Sequence, residues 1–407
     1  MSSRTRWFVV ALALTGLGLS FASLWVHYRL LTDPTYVSPC DVSASFNCSQ
    51  VYLSQYGSAA GVPVAFGGVI WFGLVGLIAA FAQTGRRTST APHYLLGLSV
   101  VGIGVIAYLA YASMFVLRTG CLLCMGTYAC VLAIAALTKF GTPGSLAGLT
   151  EHLAADVTAL PSNTAGFVAG LAFLGGIGWA VASFPTEASV SAQAAAAPTA
   201  VSADARTQFA DAWVQQPRVD LGIAAEGAEV IVVKFNDYEC PTCRQGEIFY
   251  QPVFDQFAVS HPGAVRLVFK DYPLNAQCNV LVSSTIPGHE AACIAAAAAR
   301  VAAERDKFDE MTSWIWMNQG ASEASLRQAA TRILEISETE LDREYLRKLP
   351  AIRQDIADGG ALNISGTPTY FINGVRLPSA IIPVEYFRLA IELELEKAEV
   401  EAGAGAD

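Results

Sequence analysis

Residues 117–137 read LRTGCLLCMGTYACVLAIAAL. Cys121 and Cys124 stand at the mouth of an apolar run that carries no charge until Lys139. A Cys-x-x-Cys pair is ordinarily a redox or metal motif of a soluble domain. At the edge of a lipid-soluble helix, a redox pair has protein thiols on one side and membrane-dissolved oxidants on the other. The rest of the chain decides whether both are supplied.

The 407 residues suffice for two or three domains. They are 53% hydrophobic and 15% charged, with a mean hydropathy of +0.41. That is too apolar for an ordinary soluble protein, and the C-terminal part is too charged for a purely membrane one. A membrane part followed by a soluble part is the simplest reading. The net charge of -10, with no basic stripe, excludes a nucleic-acid partner. Of nine cysteines, eight fall into four close pairs: Cys40 and Cys48, Cys121 and Cys124, Cys240 and Cys243, Cys278 and Cys293. Cys130 is left over, nearly two turns below Cys124, and reads as a buried, inert thiol. Such pairing points to an oxidising compartment or a thiol relay.

Five stretches free of Asp, Glu, Lys and Arg have the length and apolarity of membrane spans: 7–28, 61–82, 94–117, 121–137 and 164–184. The first is too long for the core of a signal peptide and is followed by no clean small-x-small cleavage site. Arg4 and Arg6, Arg86 and Arg87, and Lys139 mark cytoplasmic ends, with Arg118 the one dissenting charge. Loops 29–60 and 118–120, and everything after 185, are then outside. Residues 185–205 are Ala-, Ser-, Thr- and Pro-rich and read as a flexible tether. A globular domain is expected over 206–396, with strands at EVIVVKFND and AVRLVFKDY. A largely helical stretch over 279–350, an Asn-Gly hairpin at TPTYFINGVRL and a last helix at 383–396 complete it. The tail 397–407 is expected to be disordered.

VVKFNDYECPTCRQGEIFY, residues 232–250, places Cys240 after a strand and at the start of a helix. Helix N-termini favour thiolate over thiol, so Cys240 is the expected nucleophile and Cys243 its resolving partner. Cys278 and Cys293, outside Cys-x-x-Cys spacing, read as a structural disulfide, with a second relay step as the alternative. His289, four residues before Cys293, reads as packing or surface rather than acid–base. For the four membrane cysteines, static disulfides or a thiolate metal site are the alternatives to a relay.

Residues 206–396 resemble the thioredoxin fold and, within it, the periplasmic DsbA-like oxidases. The matching features are Cys240-Pro241-Thr242-Cys243, the KDYPL after the next strand, the helical insertion and Thr367-Pro368. The resemblance implies a cis-proline facing the cysteines and holding substrate chains. Residues 7–137 resemble the vitamin K epoxide reductase family in its bacterial form. Cys40 and Cys48 fit the family's loop pair, Ser54 its loop serine, Cys121 and Cys124 its Cys-x-x-Cys, and Tyr128 the tyrosine that hydrogen-bonds a quinone. Pro63 stands about where members acting on vitamin K carry an asparagine, which argues against epoxide reduction.

The expected fold is a four-helix membrane bundle (1–140), then a cytoplasmic loop and fifth transmembrane helix (141–184). The tether and a thioredoxin-fold α/β domain with a helical insertion follow. The resemblances imply a disulfide-forming thiol:quinone oxidoreductase of the bacterial inner membrane, its thioredoxin-like domain on the periplasmic side. Its partners would be reduced exported proteins and the quinone pool, with ubiquinone or menaquinone as acceptor and no metal. The implied electron path runs from Cys240 to Cys48, from Cys40 to Cys121, and from Cys124 to quinone, with Ser54 supporting the loop. The rival readings are a reductase running outward, a quinone or epoxide reductase using thiols only as reductant, and a metal-handling membrane protein.

Overall fold

A computed structural model describes residues 2–33, 35–42, 46–59, 61–81, 91–117, 119–141, 164–186, 189–190 and 201–404. Arg86, Arg87, Arg118, most of loop 138–163 and the middle of the expected tether lie outside them. The chain divides into two compact units, Met1–Tyr28 with Ser38–Phe184, and Arg29–Val37 with Pro185–Asp407.

The first unit is helical because its apolar helices contain no interior proline, and a helix pairs its own backbone groups where lipid offers none. Helix α1 spans Ser3–Thr32, α3 Ala65–Phe81, α4 Ala91–Tyr111, α5 Leu122–Gly141 and α6 Thr164–Ala182. A short helix, α2 (Cys48–Leu53), lies in the loop after α1. By length and composition α1, α4 with its extension to Val116, and α5 can cross a membrane; α3 and α6 are shorter apolar helices. The span expected from residue 61 begins only at Ala65. Gly61 takes a positive φ of 78°, and Ser58–Ala59 (β1) pairs antiparallel with Val62–Pro63 (β2). This small ribbon takes up residues that composition alone assigns to the helix. The core joins Val9 and Ala13 of α1, Phe72 and Val75 of α3, Leu95 of α4 and Ile134 of α5. Cys130 is buried in the same cluster.

The second unit is built on a four-stranded sheet of order β4-β3-β5-β6. The strands are Val230–Asn236 (β3), Val265–Asp271 (β4), Thr369–Ile372 (β5) and Val375–Arg376 (β6). β3 pairs parallel with β4, Val233 opposite Val268, and antiparallel with β5, Val233 opposite Phe371. β3 is central and buried along nearly its whole length, as its Val-rich run requires. Helix α7 spans Ala203–Val214 and is capped by Ser202, so helix begins inside the segment read as tether. Helix α8 (Pro241–Ser260) connects β3 to β4. Helices α9 (Ala292–Ala303), α10 (Phe308–Met317), α11 (Glu323–Leu334) and α12 (Glu338–Ala361) form the insertion, and α13 (Val384–Ala404) closes the fold. This is the thioredoxin arrangement with a helical insertion.

Three expectations need correction. Residues 279–291 are turns and loop rather than helix. The run from 290 to 316 is broken into α9 and α10, with Asp306 at a positive φ of 57° between them. The tail expected to be disordered from 397 is helical to Ala404, continuing through the helix-favouring sequence Lys397-Ala398-Glu399.

Candidate functional site

In the first unit, two loops are stitched together before any side chain is considered. Phe46 forms a parallel bridge with Gly120, and the Asn47 amide donates to the Gly120 carbonyl at 3.0 Å. Asn47 also starts α2, its side chain accepting from the Gln50 amide at 2.8 Å. Cys48, the next residue, is thereby fixed with its Sγ 3.5 Å from Cys121 Sγ. Cys48 is paired in a disulfide with Cys40. Asp41 braces this loop by accepting from the Ser49 amide at 3.0 Å and from its hydroxyl. Ser54 accepts from the Tyr56 amide at 3.2 Å and donates to the Val51 carbonyl at 2.8 Å, so it closes the turn after α2.

Cys121 precedes α5, and its sulfur accepts from the Cys124 amide at 3.2 Å, as a helix cap does. The Cys121 and Cys124 sulfurs are 2.6 Å apart. The expected path placed Cys40 against Cys121. The structure places Cys48 there instead, because the Phe46–Gly120 bridge holds the second loop cysteine rather than the first.

Cys124 opens into a cavity of about 400 Å³ walled by α1, α3, α4 and α5 and roofed by α2 and its turn. Tyr128 lines it one turn below Cys124, with Trp71, Tyr56 and Tyr52 around it. Trp71 is held by its indole N–H, which donates to the Leu98 carbonyl at 2.8 Å. Tyr52 was not singled out in the sequence. Its hydroxyl accepts from Cys121 Sγ at 3.3 Å and lies 4.0 Å from Cys124 Sγ. Its ring stacks on His27, which is buried. The cavity is largely apolar, and its lining includes the Tyr52, Tyr56 and Tyr128 hydroxyls and the Cys124 thiol. That chemistry fits a ring with polar edges and an apolar tail.

In the second unit, Cys240 is the N-cap of α8, with Pro241 in the first turn. Thr367-Pro368 is cis, and Cys240 Sγ lies 3.3 Å from the Thr367 carbonyl. Cys243 is fully buried, and its sulfur accepts from the Asp237 amide at 3.5 Å. The Cys240 thiol is drawn down to about 6, chiefly by the hydrogen bond from Cys243. Burial opposes this, and the His289 charge assists. Burial pushes Cys243 well above the usual thiol range, and its bond to Cys240 adds to this. Cys243 therefore remains a thiol and a donor while Cys240 is a thiolate.

His289 is not a surface group. Burial alone would push it down, but Asp237, 2.7 Å from its Nδ1, outweighs burial and holds the imidazole at about 9. Glu239 is buried beside the motif and burial pushes its carboxyl up to about 8. It accepts from the Gly320 amide, and the Gln319 side chain donates to the carbonyls of Tyr238 and Cys240 at 2.9 Å each. Lys234, on β3, donates to the Cys243 carbonyl at 3.1 Å. Cys278 and Cys293 are joined by a disulfide that ties the loop after β4 to the start of α9.

Cys-x-x-Cys pairs stand at the mouth of an apolar helix and at a thioredoxin-type helix N-terminus, the placement that thiol–disulfide exchange chemistry needs. Residues 7–139 match the vitamin K epoxide reductase family and residues 219–392 match thioredoxin. Vitamin K epoxide reductase complex subunit 1 of Mus musculus is 30% identical over 128 residues, covering 30% of this chain and 80% of that protein. The chain belongs to the vitamin K epoxide reductase family. The Na(+)/H(+) antiporter NhaA 3 of Salinispora tropica is 35% identical over 155 residues, 37% of this chain and 21% of the antiporter. The chain thus spans about a fifth of that relative's length. Among solved structures, oxidised BdbD from Bacillus subtilis aligns with a TM-score of 0.33 at 19% identity, over 44% of this chain and 97% of that one.

Proposed function

We propose that the protein generates disulfides in exported proteins and delivers their electrons to a membrane quinone. The setting is a bacterial cytoplasmic membrane, with the thioredoxin-like domain on the periplasmic side. A substrate thiolate attacks the oxidised Cys240–Cys243 pair. The substrate leaves with a new disulfide, its polypeptide held at Thr367-Pro368. The Cys240 thiolate then attacks the Cys40–Cys48 disulfide at Cys40, which frees Cys48 as a thiolate. Cys243 attacks Cys240, which reforms the Cys240–Cys243 disulfide and frees Cys40 as a thiolate. Cys48 attacks Cys121 of the Cys121–Cys124 disulfide and releases Cys124, and Cys40 closes back onto Cys48 to release Cys121. This inverts the order expected for the two loop cysteines. The resulting Cys121 and Cys124 thiols reduce the oxidising substrate, ubiquinone or menaquinone, and Cys124 is the one that lines the cavity. Tyr128 orients it, Ser54 keeps the loop shaped and Cys278–Cys293 is structural.

The observation that carries this reading is the run of sulfurs Cys40, Cys48, Cys121 and Cys124, which ends on an apolar cavity. The cavity's size and apolar lining suit a quinone ring, and the tyrosine hydroxyls among its lining residues suit the carbonyls. The test is oxidation of a reduced peptide by the purified full chain with and without added quinone. Cys124→Ala is expected to stop quinone reduction while leaving the soluble pair one round of exchange with peptide. Continued quinone turnover by that variant refutes the path. Turnover of a quinone epoxide with no lasting peptide oxidation would instead make the thiols mere reductant.

A further inference from the structure

Reducing a quinone takes two electrons and two protons. Both come from the Cys121 and Cys124 thiols as their S–H bonds break and the S–S bond forms. The two sulfurs are not equally placed to give up a proton. Cys124 lines the cavity, whereas Cys121 is 1% exposed and does not. The Tyr52 hydroxyl is a hydrogen-bond partner of Cys121 Sγ, at 3.3 Å, and Tyr52 does line the cavity.

We propose that Tyr52 is a catalytic proton bridge from Cys121 to the oxidant bound in this cavity, which rests on the quinone reading above. The Tyr52 oxygen takes the Cys121 proton as its own hydroxyl proton passes to a carbonyl oxygen in the cavity, and the tyrosine is unchanged at the end. Cys124 delivers the other proton directly. The two sulfurs lose one electron each to the quinone, which leaves as the quinol.

Several features suit Tyr52 to this task. It sits four residues after Cys48 on α2, so both face the approach to α5. Its ring is fixed against His27, centroids 5.8 Å apart and planes 21° from parallel. Burial pushes the phenol upward, so it stays protonated and can donate. The titratable groups that face it are Cys121 and Cys124 from α5 and its approach and His27 from α1. Ser23, a hydrogen-bond neighbour on α1, also lines the cavity.

The test is Tyr52→Phe in the full-length protein, which keeps the ring and its stack. Reduction of added quinone by the pre-reduced chain is expected to slow by about a hundredfold, the low end of general acid–base effects. A second readout needs no quinone: the pH midpoint for iodoacetamide labelling of Cys121 is expected to rise by about one unit or more as its hydroxyl partner is lost. A fluorinated tyrosine at position 52 is expected to restore the rate and move its pH dependence with the phenol's acidity, which a purely structural role does not do. Quinone reduction by Tyr52→Phe at the wild-type rate, with the Cys121 midpoint unmoved, overturns the bridge alone. A wild-type chain that oxidises peptide but never reduces quinone overturns the acceptor, and the bridge with it.

Discussion

Replacing Cys243 by alanine removes the donor that does most to hold Cys240 as a thiolate at about 6. A hydrogen bond to a charged partner contributes about 1.5–3 kcal/mol, or about 1–2 pH units, so the Cys240 midpoint is expected at about 7–8. Alkylation of the full chain across pH, read on the Cys240 peptide by mass spectrometry, measures it. Thiolate nucleophilicity rises with basicity, so the variant should react more slowly than wild type near pH 6 and about fivefold faster at pH 9. Cys243→Ser retains a donor and should stay nearer the wild-type midpoint. Coincident profiles for wild type and Cys243→Ala, or a wild-type midpoint near 8.5, would refute the reasoning. The sign of the linked stability follows. The folded thiol lies below an unfolded value of about 8.5, so the reduced protein's gain is full above that pH and is lost as pH falls through 6. The gap is about 3 kcal/mol, which favours the reduced form and makes the pair about 70 mV more oxidising.

The His289–Asp237 pair runs the opposite way. His289 is raised to about 9, so its contribution of about 3 kcal/mol is present below pH 6.5 and lost as pH rises through 9. Asp237→Asn should lower stability near neutral pH by about 3–5 kcal/mol and flatten that slope in pH-dependent melting. Cys278→Ser with Cys293→Ser opens a link across a sequence separation of 15 and should cost about 3 kcal/mol in denaturant unfolding. Peptide exchange at Cys240 should survive it; loss of exchange in the still-folded variant would put this pair in the relay. Gly57→Ala would place a Cβ 2.0 Å from the Tyr52 carbonyl oxygen. It should cost about 1–3 kcal/mol and slow the Cys48–Cys121 step, read by trapping that mixed disulfide.

The parts of this protein that were legible from residues are those where chemistry and local structure share a short stretch. Cys240 follows a valine-rich strand and precedes a helix, and Cys121 opens an apolar helix; both statements need only neighbours in sequence. What escaped depends on residues far apart. His289 read only as packing or surface because its partner Asp237 lies 52 positions earlier on another element. Tyr52 carried one available signal, its place one helical turn after Cys48, but nothing local ties it to Cys121, 69 positions on. The choice between Cys40 and Cys48 as the neighbour of Cys121 rests on a backbone bridge, to which side-chain patterns are blind. The start of α3 was missed because Gly61 and Pro63 are apolar enough to pass for membrane helix, yet their backbone turns there.

The Phe46–Gly120 bridge also gives the relay a polarity. A loop cysteine free to swing could present either sulfur to the membrane pair, and electrons could then return along the same route to any disulfide outside. Asn47, the residue before Cys48, is held by a main-chain hydrogen bond to Gly120, so the backbone sets which loop cysteine stands beside Cys121. In the proposed path Cys40 is the end that meets the thioredoxin-like pair and Cys48 the end that meets Cys121. The loop would then work as a connector with two unlike ends, wired by the fold before any substrate arrives.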